Sequence, residues 1–309
     1  MVVLLGAGAL LLANTLENLR ARGIQSGFDI LLQPSGFAIG ESLIPFDSAE
    51  SYLKAYAVGL VNTLRVAIVG IVAATLLGGL VGIGRLSRNA LVRALCGAYV
   101  EVTRNVPLLL QLFMWYFALT EFLPAIDEAL HPLPGVFFSK NGLQFPLPWH
   151  TAEQGWFLDW PEKTEISVVG GAAVTPEYLT VLVGLTVYTA GYIAEVVRAG
   201  ILALPGGQHE AAASLGLSRW QALKLVQIPQ ALRVIIPPMT SQYLNLTKNS
   251  SLAVAVGYPD LLSITATALN QTGRAIECIA VMMACYLTLS LITSALMGVY
   301  NRRARLKER

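Results

Sequence analysis

Charged and amide side chains set inside long apolar stretches are the residues of this sequence best placed to do chemistry. Lys248 is the only charge in an apolar run that opens near residue 235, about 12 residues in. At about 1.5 Å per residue, that count predicts a place near mid-bilayer. A charge there costs at least about 2.5 kcal/mol, so it calls for a partner or a water-filled path. Gln242, Asn245 and Asn249 recur at i, i+3 and i+7, with Ser241 and Lys248 on the adjoining row and Ser251 just beyond. The spacing predicts one polar stripe along a helix. Such a stripe can bind a carboxylate through Lys248 and either end of a polar solute through the amides, or it can be a seam between helices. Glu101 with Arg104, and Glu195 with Arg198, stand three apart and can share a helix face as ion pairs. They read as fastenings within the membrane, with pathway lining as the other reading. Thr186, Tyr188 and Thr189 are further lining candidates whose hydroxyls can also bond only to backbone.

Several chemistries find no support. No paired carboxylates and no nucleophile beside a base stand out, and no G-x-x-x-x-G-K-[ST] sequence is present to hold nucleotide phosphates. Gly78, Gly79, Gly82 and Gly84 lie inside an apolar run, where Gly78-x-x-x-Gly82 predicts close helix packing and not a dinucleotide turn. Cys96, Cys278 and Cys285 have no C-x-x-C spacing and read as packing residues; His131, His150 and His209 are too dispersed to suggest a metal.

The elements that must carry these residues are membrane helices. Of 309 residues 55% are hydrophobic and 13% charged, with a mean hydropathy of +0.60, too apolar for an ordinary soluble domain. Six spans are expected, near residues 1–16, 56–84, 95–122, 178–194, 235–258 and 278–300, in an all-α integral membrane protein. Residues 1–16 are short for a span, and a signal peptide is disfavoured there by the missing basic start and cleavage pattern; a longer natural N-terminus would look the same. The predicted domains are an N-terminal helix and outer connection (1–55), a transmembrane domain (56–300) with an insertion at 121–177, and a basic tail (301–309). The insertion carries eight acidic residues against Lys140 and Lys163, and its Trp149, Trp156 and Trp160 can lie at the membrane interface. Arg85, Arg88 and Arg93, the stretch with Arg219, Lys224 and Arg233, and the tail with Arg302 and Arg303 predict cytoplasmic segments, which puts both termini inside.

One polar loop, residues 205–234, stands between two apolar runs. Its Glu210-Ala211-Ala212, three residues, Gly216, nine residues, then Val226-x-Ile228-Pro229 resembles the EAA loop of permease subunits of ABC importers. Gly200-Ile201 with Pro205, the run from Pro229 to Arg233, the run from Leu246 to Leu252, and Asn62-Thr63-Leu64 are similar to the polar amino-acid branch, of the histidine, glutamine and general L-amino-acid permease type. The resemblance covers the chain from about residue 62 onward. Independently of it, the alanines after Glu210 favour helix, Gly216 permits a left-handed break, and Ser218 can cap a second helix through Trp220, Leu223 and Val226.

The resemblance implies a type I ABC importer permease fold in a bacterial inner membrane. It implies that Glu210, Ala211, Ala212, Gly216 and Pro229 couple the chain to two ATPase subunits, which hold the ATP and Mg; this chain itself binds no cofactor, performs no catalysis and meets no nucleic acid. A second permease subunit, copy or homologue, and a periplasmic amino-acid-binding protein are the other implied partners, besides the lipid bilayer. Acidic and neutral polar L-amino acids, extending to a broad range, are the expected cargo, since Lys248 would repel a purely cationic one. The rival class is an ion-gradient-driven secondary transporter or channel; it would predict internal repeats, and none is evident between the halves. A membrane scaffold is disfavoured by the stripe around Lys248.

Overall fold

Prolines and capping residues cut the apolar sequence into its helices. In the computed structural model the described residues are 27–151, 155–164, 168–205, 207, 211–212 and 214–304, with 6, 10, 13, 14, 17, 18 and 21. Helix α1, Tyr52–Gly84, contains no proline and runs unbroken for 33 residues. Asn89 then caps α2, Ala90–Asn105, its side chain accepting from the N–H groups of Leu91 and Val92 at 2.9 and 3.4 Å. Pro107 lacks an N–H and forces Val106 into an extended conformation, so a new helix, α3, Leu108–Glu121, starts beyond it. The Gln111 amide stitches this break by donating to the carbonyls of Thr103 and Val106 at 2.8 and 3.0 Å. Helix α4, Pro176–Leu202, begins with a Thr175 cap and a first-turn proline. Helix α5, Ile228–Asn249, passes into a 3-10 segment, Ser250–Val256; α6, Leu261–Thr272, is capped by Asp260, and α7, Ala275–Ala304, closes the series.

This inventory corrects the expectation of six spans. Among the described residues three helices are long and apolar enough to cross a membrane, Tyr52–Gly84, Pro176–Leu202 and Ala275–Arg302. A fourth is added only if the run Trp220–Val256 and the helix Leu261–Thr272 count together as one broken span. The expected third span fails because Pro107 divides it into pieces of 16 and 14 residues. At 1.5 Å per residue each piece reaches about 20–25 Å, short of a hydrocarbon core of about 30 Å. The expected fifth fails because the polar stripe and Pro237-Pro238 occupy α5 itself. The expected first, at 1–16, falls mostly outside the described residues.

Two units form, one of residues Thr63–Tyr258 with Leu289–Arg309, the other of Met1–Asn62 with Pro259–Thr288. In the larger unit α4 is the central helix. Hydrophobicity gives little reason for helices to associate inside lipid, so small residues that let backbones approach must do it. A Cβ at Gly78 would stand 2.7 Å from Cβ of Ile193 and 2.8 Å from the Ala190 carbonyl; at Gly82 it would stand 2.7 Å from the Ala194 carbonyl. The predicted small-residue seam is therefore the α1–α4 contact. Gly184 meets Leu112 of α3, Gly191 meets Thr103 of α2, and Gly200 meets Ile235 of α5. The core so enclosed holds Val66, Ala74, Leu112, Val181, Leu185 and Leu246.

The insertion at 121–177 is built from short strands, which its composition does not announce. β1, Phe137–Ser139, pairs antiparallel with β2, Gly142–Phe145, which pairs with β7, Ala172–Val174. β3, Leu147–Thr151, and β4, Gly155–Asp159, form a hairpin, and β5, Glu162–Lys163, pairs with β6, Val168–Val169. Trp156 and Trp160 are exposed on this insertion; the Trp149 side chain lies outside the described residues.

The smaller unit packs Ile30, from a 3-10 turn at Phe28–Leu32, against Tyr52, Tyr56, Ala268 and Cys278. Arg274 and Glu277 clasp this turn. The Arg274 guanidinium donates to the Gly27 carbonyl at 2.8 Å and to Asp29 Oδ1 at 2.7 Å, while Glu277 Oε1 accepts from the Gly27 N–H at 2.6 Å. Arg274 holds the Asp29 carboxyl below the usual carboxylate range. A depressed folded value means that the stabilisation is present above the unfolded carboxylate pKa, about 3.9, and is lost as pH falls through the lower folded one. Protection against hydrogen exchange over residues 28–32, measured relative to the intrinsic rate at each pH, is therefore expected to fall below about pH 4. In Arg274→Met that protection is expected to be lost already at neutral pH.

Candidate functional site

The polar loop realises its local rules. Ala211, Ala212 and Ser214 are helical, and Gly216 takes a left-handed conformation, φ +74°. The Leu217 N–H reaches back to the Ala212 carbonyl at 3.1 Å, the long bond of a Schellman turn. Ser218 and Gln221 then cap reciprocally: the Ser218 N–H donates to Gln221 Oε1 at 2.8 Å and the Gln221 N–H to Ser218 Oγ at 3.3 Å. Leu215 and Trp220 stand 80% and 62% exposed on either side of the break, whereas Ala212 is buried. Two apolar groups are thus held out on a rigid corner. Glu210 lies outside the described residues.

A turn at Arg219–Ala222 runs into a π-helical segment, Leu223–Gln227, and then α5. The cause is Pro229, which has no N–H for the carbonyl four residues back; the Ile228 N–H instead reaches Leu223. From there α5 lies directly against α4, where Gly200 meets Ile235. The segment after the Gly216 corner is thus continuous with the helix that packs on α4.

The structure revises the polar stripe. Lys248 is the next-to-last residue of α5, in its final turn, where a cation also complements the helix dipole. It is not 12 residues into a helix starting at Ile235, because α5 begins at Ile228. Ser241, Asn245 and Lys248 share the exposed face, with Gln242 and Asn249 half-buried beside it, while Leu246 and Thr247 turn into the core. Ser251 Oγ donates to the Lys248 carbonyl at 2.8 Å. Thr189 is buried and the Thr186 hydroxyl is enclosed, so both stand away from that exposed face.

Of the two expected ion pairs, one forms. Arg198 binds Glu195 at 2.5 Å, and Arg85, from the turn after α1, joins the same carboxylate. This three-residue cluster ties α1 to α4 beside the basic turn. Glu101 instead accepts from the Asn105 amide at 3.3 Å, and the Arg104 guanidinium lies over the Tyr192 ring at 5.2 Å. Among the described residues no group of His, Cys, Asp and Glu could hold a metal ion. Sequence reasoning also missed Arg65, which sits in α1 with its guanidinium 4.0 Å from the Tyr178 ring centre. Its signal was plain: Arg65 is the only charge between residues 56 and 84.

Long apolar helices around a small-residue seam, with a polar corner reaching one of them, define a polytopic membrane protein. Residues 67–306 match the family model described as "Binding-protein-dependent transport system inner membrane component", and the chain belongs to that family, as an amino-acid ABC-transporter permease subunit. The protein YhdX of Escherichia coli (strain K12) is 42% identical over all of this chain and 93% of its own length. The general L-amino acid transport system permease protein AapQ of Rhizobium johnstonii is 40% identical over all of this chain and 91% of its own. A crystal structure of an amino acid ABC transporter with histidines superposes with a TM-score of 0.60 at 25% identity, covering 82% of this chain and 95% of that one. Permeases of this family are not catalysts; ATPase activity resides in a separate partner.

Proposed function

We propose that this chain forms the path by which an ABC importer carries acidic and neutral polar L-amino acids into the cytoplasm, driven through the corner at Gly216. The corner carries the reading: Leu215 and Trp220 are held exposed by a Schellman turn and a reciprocal cap, and the same segment leads into α5 and α4. One of the two ATPase subunits seats there, on a surface that includes Ala211, Leu215 and Trp220, with buried Ala212 holding the turn beneath it and Pro229 setting the entry into α5; Glu210, the first residue of the motif, belongs to the same coupling segment by sequence. A second permease, copy or homologue, completes the membrane part, and a periplasmic binding protein delivers the amino acid. Relatives named for general L-amino acids and for glutamate, glutamine, aspartate and asparagine support this cargo class.

Orientation rests on helix direction and charge. Residues 78 and 82 of α1 meet 190 and 194 of α4 in the same order, so the two helices run parallel. Their C-terminal ends therefore emerge on one side, carrying Arg85, Arg88 and Arg93 after α1 and the Gly216 corner after α4. The positive-inside rule assigns that side to the cytoplasm, the insertion at 121–177 to the periplasm, and the basic C-terminal tail to the cytoplasm.

Within the path, Asn245, Lys248, Asn249 and Ser251 handle the solute, and the cluster of Glu195 with Arg198 and Arg85 braces the helices around it. Proteoliposomes holding the chain with its ATPase and binding protein are expected to take up L-glutamate only with ATP, undiminished by ionophores. Lys248→Met is expected to lower the glutamate rate about tenfold and to narrow the gap between glutamate and lysine uptake. Uptake that needs an ion gradient and no ATP would mark a secondary transporter. An unchanged rate and selectivity in Lys248→Met and Asn245→Ala would return the stripe to helix packing.

A further inference from the structure

Among the described residues one stretch is π-helical, the segment Leu223–Gln227 between the Gly216 corner and α5. Single π turns inside α-helices are rare and recur at functional sites, so this one calls for a reason. Its local cause is Pro229. In a regular helix the proline ring would press on the carbonyl four residues back, that of Leu225, and no N–H would be there to bond it. The wider turn, closed by the Ile228 N–H on the Leu223 carbonyl five residues back, avoids that clash. The ladder over the segment is still one donor short, because proline supplies none.

Packing makes the same segment the weakest link between two held ends. Upstream, Ala222 is buried and its N–H bonds the Ser218 carbonyl at 2.8 Å, next to the reciprocal cap of Ser218 and Gln221. Downstream, Ala231, Ile235, Ile236 and Met239 are buried, and Ile235 meets Gly200 of α4. Between these ends no residue of Leu223–Gln227 is buried, and Lys224 and Leu225 are exposed. A stretch with few buried contacts and a depleted ladder opens at low free energy. Nor does α5 depend on it. Pro229 already stands in the first turn of α5, where a missing N–H is one that a helix start leaves unpaired and the fixed φ suits helix. Unwinding from 223 to 227 therefore leaves α5 with a sound beginning.

We propose that Leu223–Gln227 is a joint, on which the Gly216 corner swivels with the ATPase while α5 stays packed on α4 and the two helices move as one body. This rests on the reading of the corner as the ATPase seat. One residue in a helical turn is worth about 100° of rotation and about 1.5 Å of rise, so rewinding a single turn gives the corner a wide range. The contact of Gly200 with Ile235 lies beyond the joint and is left undisturbed.

Distances between spin labels in the full, uptake-competent complex test this, with Cys96, Cys278 and Cys285 replaced by alanine. One pair spans the joint, Ser214→Cys with Arg233→Cys; the other reports the packing of α5 on α4, Arg233→Cys with Ala199→Cys, and all three positions are exposed. Between nucleotide-free and ATP-bound complexes the first distance is expected to shift by about 5 Å or more, the pitch of one turn. The second is expected to shift by less than about 2 Å, as for helices that stay packed. An unchanged first distance would overturn the proposal, since corner and α5 would then be one rigid rod. A second distance that changes as much as the first would overturn it too. Pro229→Ala restores the missing donor and lets a regular helix run through, which stiffens the joint. Its uptake is expected to fall about tenfold with the amount of folded complex at or above the parent level, because alanine favours helix where proline opposes it. Parent-level uptake in Pro229→Ala would overturn the joint, and so would a loss of uptake matched by loss of folded complex, which marks a structural proline. A parent complex that takes up no amino acid with ATP would instead overturn the coupling reading, which keeps the two failures distinct.

Discussion

Gly216→Val is expected to cut ATP-driven uptake at least about tenfold and to weaken binding of the ATPase, while membrane insertion and the amount of folded chain stay near the parent level. The strain has one source. No atom lies within 4 Å of where a Cβ would stand, so crowding contributes nothing, but φ is +74°. A β-branched residue in that conformation costs roughly 1–2 kcal/mol or more. The corner relieves the strain by giving up the Leu217 to Ala212 bond, and Leu215 and Trp220 then leave the positions in which a partner would meet them. Gly216→Asn supplies the control, because asparagine enters the left-handed region readily. Near-parent uptake by the asparagine variant beside a disabled valine variant identifies backbone conformation as the cause. Equal loss in both, or loss in neither, would contradict it.

The second large effect is expected at the α1–α4 seam. Gly78→Val places a branched side chain against Cβ of Ile193 and the Ala190 carbonyl, and the carbonyl belongs to a helix ladder that cannot shift cheaply. Overpacking typically costs about 1–3 kcal/mol where side chains can adjust, and here backbone must move. Folded yield after detergent extraction is expected to fall several-fold and the thermal midpoint to drop. Gly79→Val, one residue away with nothing within 4 Å, is expected to match the parent in both measurements. A well-folded Gly78→Val protein would mean that α1 and α4 are not held together at this seam.

Legibility in the sequence tracks the range of the forces involved. The corner was readable because its determinants are local: a glycine that permits the break, a serine that caps the next turn, and alanines that favour helix between them. The Gly78-x-x-x-Gly82 seam was readable for the same reason, since the spacing alone sets one helix face. The insertion was not, because its strands are two to five residues long and gain their pairing from partners up to about 30 residues away. Span boundaries depended on breaks whose weight composition understates: Pro107 ends a helix within an otherwise apolar run, and the segment from Leu223 to Pro229 moves the start of α5 and so the depth of Lys248. Spacing also could not choose between two like pairs. Glu195 has Arg198 on its own helix and Arg85 brought by the turn after α1, while Arg104 finds the Tyr192 ring and leaves Glu101 to Asn105.

The claim on which the account turns is that the ATPase grips the corner at Leu215 and Trp220. A photo-reactive side chain placed at Trp220 or Leu215, in the complex assembled with its ATPase and competent for uptake, addresses that claim directly. The predicted result is a covalent adduct with the ATPase subunit from both positions, changing in yield between ATP-bound and nucleotide-free complexes, and no such adduct from Asp159 on the insertion. An uptake-competent complex that gives no ATPase adduct from either corner position, or gives the same adduct from Asp159, would contradict the account.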